Sequence, residues 1–379
     1  MNPRQIPLAR PNFDERELDA LRDVLDSGWV VQGPKVQALE RALAQLHDVR
    51  HAIVVSSGTA ALHVVFLATG IGPGEAIFVP SFAWPAAAHV ATICGARAVF
   101  VDCLAGTYNI DPDDLRAKVA SCGQAGWGRA RAVVPVHEFG LAADMSAVEA
   151  VAEEFGLAVI EDAACALGAT YGGRKVGGLG RAGIFSFHPR KAVTTGEGGA
   201  VVTNDDALAE TCRQLRNHGQ GTADGRREFL TVGLNYRMTD LQAAIGCVQL
   251  AKLPEMLDAR RRIARAYLAG LADCAGLRLP SDPDEHTWQT FMVVLDDAIS
   301  RDGIAARLAE RGVHAGPGSV AGHCARVYRE RLGYSPGDLP VSARLARQGL
   351  ALPLYAGMTD ADVEHCIRSL RDVLKGPRP

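Results

Sequence analysis

Short apolar runs alternate with amphipathic stretches along the first half of the 379-residue chain. The runs are rich in Val, Ile, Ala and Phe, and each is too short for a typical helix, so they predict strands. Between them, apolar residues recur at spacings of about three and four, which indicates helices with one buried face. The runs predicted as strands are residues 52–55, 76–79, 98–101, 132–136, 157–161, 183–187 and 200–203.

Residues that typically begin or end helices set the bounds of the helices predicted between these runs. Asp14 and Glu17 have the spacing of a capping box, and Gly28 lies where the helix that they begin should end. The predicted helices are 14–27, 36–47, 60–69, 85–94, 114–121, 145–155, 206–217, 239–252 and 256–272. Strands that are separated by helices favour a mostly parallel seven-stranded sheet with both faces covered, which is an α/β fold.

A domain boundary is predicted between the last two of these helices, where Pro254 interrupts the apolar pattern. The large domain is then residues 1–253, and its first 50 residues form an N-terminal helical segment. The remainder, 254–379, is predicted to be a smaller α+β domain. It contains a strand at 291–295 and helices near 304–311, 341–348 and 360–374. Between helices of the large domain, the polar loop 219–228 is the best candidate for mobility.

Composition narrows the class of protein. Hydrophobic residues make up 48% and charged residues 22%, as in ordinary globular proteins. The net charge is −3 and no basic stripe is interleaved with aromatics, so we expect no nucleic-acid partner. No apolar run is long enough to span a membrane, and the N-terminus lacks the apolar core of a signal peptide. Nine cysteines without a C-x-x-C pair indicate reduced thiols in the cytoplasm, with neither disulfides nor a metal site.

Polar and aromatic residues follow several of the predicted strands. Ligands of parallel sheets bind beyond the carboxyl ends of the strands, where Trp84, His137 and Asp162 are expected. Residues 57–59, Ser-Gly-Thr, lie between a strand and a helix, which is the arrangement that presents free N–H groups to a phosphate. A simple N-cap explains residues 57–59 equally well, core filling would explain Trp84, and a turn cap would explain Asp162.

Lys191 lies on a tight connection between the predicted strands 183–187 and 200–203, followed by a G-E-G-G turn. A lysine held in a partly desolvated pocket is a candidate Schiff-base nucleophile, because burial lowers its pKa. A solvated surface lysine is the alternative. The nearby G-x-G-x-x-G at 178–183 is not a dinucleotide fingerprint, since no strand precedes it and no helix begins there.

A lysine, a carboxylate and a phosphate-binding helix start together suit pyridoxal 5′-phosphate (PLP). The aldehyde of PLP condenses with the lysine, and the carboxylate keeps the ring nitrogen protonated. At 4 Å and an effective dielectric constant near 20, that ion pair is worth about 4 kcal/mol, or roughly three pKa units. An aromatic side chain such as Trp84 would stack on the open face of the ring.

Several motifs strengthen this interpretation. The chain resembles the DegT/DnrJ group of PLP-dependent sugar aminotransferases over nearly its whole length. The motifs that carry the resemblance are S-S-G-T-A-A-L at 56–62, P-S-F-A-W-P-A at 80–86, P-V-H-E-F-G at 135–140, E-D-A-A-C-A-L-G-A at 161–169, F-S-F-H-P-R-K-A-V-T-T-G-E-G-G at 185–199 and G-L-N-Y-R-M at 233–238. The resemblance implies the PLP-dependent transferase fold type I, as in aspartate aminotransferase.

The resemblance also implies roles for single residues. Lys191 would form the internal aldimine and carry protons, and Asp162 would pair with the pyridine nitrogen. Asn235 would reach the cofactor phosphate of the neighbouring subunit, which implies a homodimer with shared active sites. The residues that would hold the phosphate and the ring are Gly58, Thr59, Ser186 and Trp84.

Two positions depart from the family pattern. Many members have Gln where this chain has Cys165, and His where it has Leu167. Because the glutamine usually contacts the ring hydroxyl and Cys is a shorter, weaker donor, Cys165 would hold the ring differently. The loop 316–323 is unusual as well and is expected to border the acceptor site. Members that replace the lysine with histidine are sugar dehydratases, and Lys191 argues against that activity.

The expected reaction is a PLP-dependent amino transfer of the ping-pong type. Glutamate or glutamine would donate the amine, and a keto-sugar, nucleotide-linked, would accept it in amino-sugar or natural-product biosynthesis. A keto-cyclitol or another natural-product ketone is the alternative acceptor. A PLP-binding sensor or scaffold without turnover is the alternative from a different class, and it would not require both Lys191 and Asp162.

Overall fold

The computed structural model describes residues 5–375, so the outer ends of both predicted domains, 1–4 and 376–379, lie outside the described residues. A seven-stranded sheet lies at the centre of the fold. Its strands are β1 (His51–Val55), β2 (Glu75–Pro80), β3 (Arg97–Val101), β4 (Arg129–Val133), β5 (Ala158–Asp162), β8 (Ala182–Ser186) and β9 (Gly199–Thr203). A short hairpin, β6 (Thr170–Tyr171) and β7 (Arg174–Lys175), lies between β5 and β8 in sequence.

The strand order in the sheet is β1-β9-β8-β5-β4-β2-β3. Strand β9 is antiparallel to both of its neighbours, whereas the pairs from β8 to β3 are parallel. The mostly parallel seven-stranded sheet that the apolar runs predict is therefore confirmed. Most of these strand residues are buried, since helices cover both faces of the sheet. The carboxyl ends of β1, β2, β4, β5 and β8 meet at one edge.

The observed helices begin and end close to the predicted bounds. Asp14 caps the first helix in a capping box with Glu17, and Gly28 ends it in the left-handed conformation, with φ of 69°. The helices are α1 (Glu15–Ser27), α2 (Pro34–His47), α3 (Gly58–Ala68), α4 (Ala86–Ile93), α5 (Pro112–Ser121), α6 (Met145–Phe155), α7 (Asp206–Arg216), α8 (Asp240–Ala251), α9 (Leu253–Leu271), α10 (Arg301–Ala309), α11 (Arg326–Leu332), α12 (Pro340–Gln348) and α13 (Asp360–Lys375). Within residues 5–375, no helix combines the length and apolar character needed to cross a bilayer.

A second sheet, antiparallel, contains β12 (Leu277–Arg278), β13 (Phe291–Leu295) and β14 (Gly349–Leu352). It packs with α9 and α13 around a core that includes Tyr267 and Leu370, and Ile6 from the N-terminus joins this core. Helix α9 contributes to both cores, because Leu253 packs against the large sheet. The predicted division at 253/254 therefore falls at the start of one continuous helix, and it stays a proposal.

Three local predictions differ from the structure. Helix α8 ends before Pro254 as predicted, but α9 begins at Leu253 and not at 256, because Pro254 fits in its first turn, where its missing N–H has no helical partner to lose. Strand β4 begins and ends three residues before the predicted 132–136; the residues after Val133 continue along the sheet edge, where Val136 forms an isolated parallel bridge with Asp162. The polar loop 219–228 forms an antiparallel hairpin of β10 (Gln220–Ala223) and β11 (Arg226–Phe229), and its Asp-Gly turn has positive φ at both residues.

Candidate active site

A cavity of about 380 Å³ opens at the carboxyl edge of the large sheet. Its walls come from the ends of β5 and β8, the start of α3, the loop that contains Lys191, and two segments near the second sheet. The predicted site residues that line it are Gly58, Thr59, Trp84, Asp162, Cys165, Ser186 and Lys191. The sheet therefore brings together residues that lie far apart in the sequence.

Lys191 follows β8 on a loop that is fixed by its own hydrogen bonds. The Thr194 hydroxyl and the Thr195 N–H donate to the Phe187 carbonyl at 2.8 Å and 3.0 Å. The half-buried Lys191 amine donates to the Cys165 Sγ at 3.0 Å. The loop therefore directs the amine into the cavity, toward the position where the family has glutamine.

The electrostatics of Lys191 differ from the expectation that burial would lower its pKa. Burial does act in that direction, but Cys165, Asp162 and Glu138 outweigh it and raise the pKa of Lys191 above its ordinary value. Desolvation of a lysine can be expected from its place in the sequence, whereas the acids around the amine are brought there only by the fold. The Lys191 amine is therefore held in its charged form by its neighbours.

Asp162 ends β5 and is 5% exposed. Its Oδ1 accepts the N–H of Ala164 at 3.1 Å, and its own N–H donates to the Pro135 carbonyl at 2.9 Å. Burial raises the pKa of Asp162, while the Ala164 N–H and the charge of Lys191 oppose that rise. The carboxyl lines the same cavity as Lys191, which is the arrangement that a clamp on both ends of one ring requires.

The start of α3 lets other groups approach its backbone closely. Ser57 caps the helix, with its hydroxyl accepting the Ala60 N–H at 3.0 Å. The first N–H groups of a helix have no partner within it, so those of Gly58 and Thr59 are available to an anion at the cavity wall. A Cβ on Gly58 would lie 2.9 Å from the Cβ of Ser186, so only glycine lets these two walls approach each other.

Trp84 lies at the cavity, whereas Asn235 lies outside the cavity of its own chain. Trp84 is 70% exposed and lines the mouth of the cavity, so it is not the core filler that the alternative interpretation required. Asn235 is exposed and does not line the cavity of its own chain. Its Oδ1 accepts the Arg237 N–H at 3.4 Å, and its backbone pairs with Asn217. If Asn235 contacts a cofactor, that cofactor belongs to another subunit.

His137 lies at the expected edge, but its side chain points away from the cavity. Its Nε2 lies 3.0 Å from a Glu161 carboxylate oxygen, and its Nδ1 accepts the Ala143 N–H at 3.0 Å. Glu161 also accepts N–H groups from the loop that contains the rejected glycine motif, those of Gly177, Leu179 and Gly180. His137 and Glu161 thus support the loop before β8.

Several cavity residues were not predicted from the sequence. Glu138 follows His137 at the sheet edge and lines the cavity. An acid directly after the histidine of a motif at this edge is a signal in the sequence that could have identified it. Gln289 and Thr290 come from the segment before β13, which has no distinctive pattern. Gly318 and Ser319 belong to the loop 316–323, which was expected to border the acceptor site and does line the cavity.

Comparison with known proteins agrees with this geometry. One family model matches residues 11–371, nearly the whole chain. The chain belongs to the DegT/DnrJ/EryC1/StrS aminotransferase family. It is thus an aminotransferase by family, and the resemblance that the motifs predicted is confirmed.

Solved structures of DegT/DnrJ/EryC1/StrS proteins match the chain over nearly all of their length. A family member from Brucella abortus is 35% identical, with a TM-score of 0.89 and coverage of 96% of both chains. S. venezuelae DesV is 33% identical, with a TM-score of 0.89 and coverage of 98% of this chain and 100% of that one. The putative sugar aminotransferase Spr1654 from Streptococcus pneumoniae, in its PLP form, is 26% identical, with a TM-score of 0.90 and coverage of 98% and 99%. These matches confirm the expected fold type I.

DegT/DnrJ/EryC1/StrS aminotransferases depend on PLP, so PLP is the cofactor of this chain. The residues of the cavity fit it. An amine and a buried carboxyl line one cavity, and the open N–H groups of α3 form a cradle that a Cβ on Gly58 would fill. Of the two departures, Cys165 lines the cavity and Leu167 is buried outside it. The Cys165 thiol contacts Lys191 where the family glutamine would contact the ring hydroxyl.

Proposed function

We propose that this aminotransferase moves the amino group of glutamate or glutamine to a nucleotide-linked keto-sugar in amino-sugar or natural-product biosynthesis. The observation that supports the proposal is that Lys191, Asp162 and the start of α3 line a single cavity. Spr1654 is described as a putative sugar aminotransferase, which supports a sugar as the acceptor. A cytoplasmic location is part of the proposal, since all nine cysteines are free thiols.

Lys191 has two tasks in the proposed reaction. Its amine would hold the cofactor at the aldehyde carbon, with water leaving as the carbon–nitrogen bond forms. The free amine would also carry a proton at the substrate α-carbon as a general acid and base. The loop hydrogen bonds from Thr194 and Thr195 keep the amine at the cavity during both tasks.

The other residues hold the cofactor and exclude water. Asp162 would pair with the ring nitrogen and keep it protonated. The N–H groups of Gly58 and Thr59, with the Ser186 hydroxyl, would hold the phosphate. Trp84, at the cavity mouth, would cover the open face of the ring. When bound, the cofactor ring withdraws electrons from the substrate α-carbon, and the protein residues orient that chemistry.

We also propose that the functional unit is a homodimer. Exposed apolar side chains surround Asn235 in sequence; Val232 is 91% and Phe229 71% exposed. The exposed segment that contains Trp29 and Val31 lies at the start of α8, since the Asp240 N–H donates to the Val31 carbonyl at 3.2 Å. An apolar surface of this kind suits an interface with a second copy, and Asn235 would then reach the neighbouring cofactor.

Cofactor attachment tests the proposal directly. The protein should bind PLP with a visible colour, and borohydride should fix the cofactor to the peptide that contains Lys191, as read by mass spectrometry. Lys191→Ala is the control and should stay unlabelled at this peptide. Attachment to a different lysine would refute the assignment of Lys191.

The two half reactions then separate an enzyme from a sensor. Glutamate alone should convert the bound cofactor to its pyridoxamine form, which changes the absorption spectrum without any acceptor. Keto-sugars and keto-cyclitols can then be screened for those that restore the original spectrum. A protein that binds PLP but shows no change with glutamate, glutamine or other amino acids would be a sensor or scaffold.

A further inference from the structure

Glu138 is a buried acid of the cavity that the proposed reaction does not yet use. It begins the short 3₁₀ turn Glu138–Gly140 after β4 and is 4% exposed. Its side chain lines the cavity together with Lys191 and Asp162. No ion pair among residues 5–375 involves Glu138, so the carboxyl is buried without a dedicated cation.

The backbone around Glu138 is held firmly. Its N–H donates to Asn109 Oδ1 at 2.8 Å. Phe139 and Gly140 have positive φ of 57° and 97°, and the Phe139 carbonyl accepts the Gln289 N–H at 2.8 Å. The turn is therefore clamped from the segment before β13, which fixes where the carboxyl points.

The Glu138 carboxyl has one polar side-chain neighbour and two charged neighbours. The Ser319 hydroxyl, from the loop 316–323, lines the same cavity and favours the ionised form of Glu138. Burial raises the pKa of Glu138 to about 8, with Lys191 and Ser319 opposing the rise and Asp162 adding to it. A buried acid of this kind changes its charge near neutral pH instead of remaining ionised throughout.

Other titratable groups also face Lys191. Burial raises the pKa of the Cys165 thiol, which therefore stays protonated near neutral pH. Burial and the nearby cations lower the pKa of His188, so its ring stays neutral. Asp162 is buried too and acts on Lys191 in the cofactor-free protein, so it is kept unchanged in every variant compared below. A difference between wild type and a Glu138 variant therefore reports on Glu138.

We propose that Glu138, which lines the same cavity as Lys191, sets the protonation of the Lys191 amine and so how readily that amine captures the cofactor. Ionised Glu138 favours the ammonium form of Lys191, whereas the neutral carboxyl leaves the amine easier to deprotonate. Proton exchange between the two groups balances as an ammonium and a carboxylate becoming an amine and a carboxylic acid. Glu138 is thus a positioning residue: it acts through Lys191, by setting the charge of the Lys191 amine.

The direct test needs no cofactor and therefore does not depend on the proposed function. The full-length, cofactor-free protein is trace-labelled with acetic anhydride at several pH values, and acetylation of the Lys191 peptide is read by mass spectrometry. Glu138→Gln should match the wild type near pH 7, where Glu138 is mostly neutral. Above about pH 8, the variant should label roughly tenfold faster, since the wild-type carboxylate then suppresses the free amine.

Three further variants make the test decisive. Glu138→Asp should restore part of the suppression above pH 8, which loss of structure would not explain. Ser319→Ala removes the hydroxyl that favours the carboxylate, so the suppression should begin at higher pH; this variant serves if Glu138→Gln does not fold. Glu153→Gln makes the same chemical change on an exposed surface of α6 and should match the wild type throughout.

A Lys191 labelling profile that is the same in wild type, Glu138→Gln and Ser319→Ala at every pH would overturn the inference. A second measurement, the rate at which PLP colour develops, rests on the proposed function. Glu138→Gln should develop it faster than wild type above about pH 8. If PLP never attaches to Lys191, the proposed function fails while the labelling result still decides the role of Glu138.

Discussion

Two buried acids lie at the edge of the sheet, Asp162 and Glu138, and the polar groups next to their carboxyls differ. Asp162 accepts a backbone N–H within its own turn, which favours its carboxylate. Glu138 has the Ser319 hydroxyl, a weaker partner. Burial raises the pKa of both carboxyls, and the Ala164 N–H and Lys191 oppose that rise at Asp162. A protonated ring nitrogen beside Asp162 would favour its carboxylate further, whereas Glu138 is suited to change its charge with pH.

The charge on Asp162 should matter far more than its shape. Asp162→Asn keeps the size of the side chain and its contact with Ala164, so we expect the cofactor to bind. The loss of an ion pair worth about 4 kcal/mol should slow the glutamate half reaction by roughly 10³-fold. Single-turnover absorbance measures this rate. Asp162→Glu, which keeps the charge, is the comparison, and near-normal turnover of Asp162→Asn would contradict the role of Asp162.

The sequence located the residues that the chemistry needs but not all of their surroundings. Lys191, Asp162, Gly58 and Trp84 could be predicted because their residue types follow strands at one edge of a parallel sheet. The charged groups around them could not be predicted, since Glu138 is distant from Lys191 in the sequence and only the fold brings the two together. The pKa of Lys191 was consequently expected to fall, and the structure places acids around it that raise it.

At the scale of elements, the loops at the sheet edge are built by interactions with neighbouring strands. Glu161, on β5, accepts three N–H groups from the loop that leads into β8 and pairs with His137 after β4. Apolar runs identified the strands well because helices cover both faces. They could not reveal the hairpin of β10 and β11, whose residues are mostly polar and lie apart from the core.

Glu161→Gln should destabilise the fold. The buried carboxylate accepts hydrogen bonds that an amide nitrogen cannot, so the variant should lose about 3 kcal/mol of unfolding free energy at pH 7. Urea denaturation measures this loss. Glu153→Gln, an exposed change on α6, is the control and should alter stability by at most about 0.5 kcal/mol.

The effect of Glu161→Gln should also depend on pH. Burial raises the pKa of Glu161, but His137 and the backbone N–H groups outweigh it, so the pKa falls below the ordinary 4.5. A lowered pKa contributes stability that is present above pH 4.5 and is lost as the pH falls through the folded-state value. The difference between wild type and variant should therefore shrink below pH 4.5. A constant difference across that range would exclude an ionised Glu161 as its source.

The start of α3 offers a test of the phosphate cradle. A Cβ in Gly58→Ala would lie 2.9 Å from the Ser186 Cβ and would push the two walls apart. We expect the fold to survive, since alanine favours helices, and the affinity for PLP to fall by about tenfold or more. Equilibrium dialysis measures the affinity. Gly106→Ala, where an added Cβ meets no atom within 4 Å, should bind PLP normally.

At the scale of the whole molecule, two sheets and two cores enclose one cavity. The large sheet supplies Lys191 and Asp162, and the segments near the second sheet supply Gln289, Thr290 and Ser319. Predicted helices and strands follow the sequence closely because each has a repeating apolar pattern. The segments that contain Gln289, Thr290 and Ser319 have no such pattern. Their place at the cavity depends on the second core, which forms around Tyr267 and Phe291.

A shared active site makes a prediction that a monomer could not satisfy. Lys191→Ala should be inactive, because it lacks the amine, and Asn235→Ala should be weakened, because it lacks the proposed contact with the neighbouring cofactor. A mixed dimer of the two variants contains one site with both defects and one site with neither. Mixing equal amounts and allowing subunits to exchange should therefore restore up to about a quarter of wild-type activity.

Two controls make the mixing result interpretable. Exchange itself is followed by native mass spectrometry with one variant carrying an affinity tag, and each variant mixed with itself should gain nothing. Val232→Glu places a charge at a side chain that is 91% exposed on the proposed interface, so it should prevent both dimer formation and recovery. If mixed dimers form but activity does not rise above that of Asn235→Ala alone, each subunit has a complete site of its own, and Asn235 serves only its local contact with Arg237.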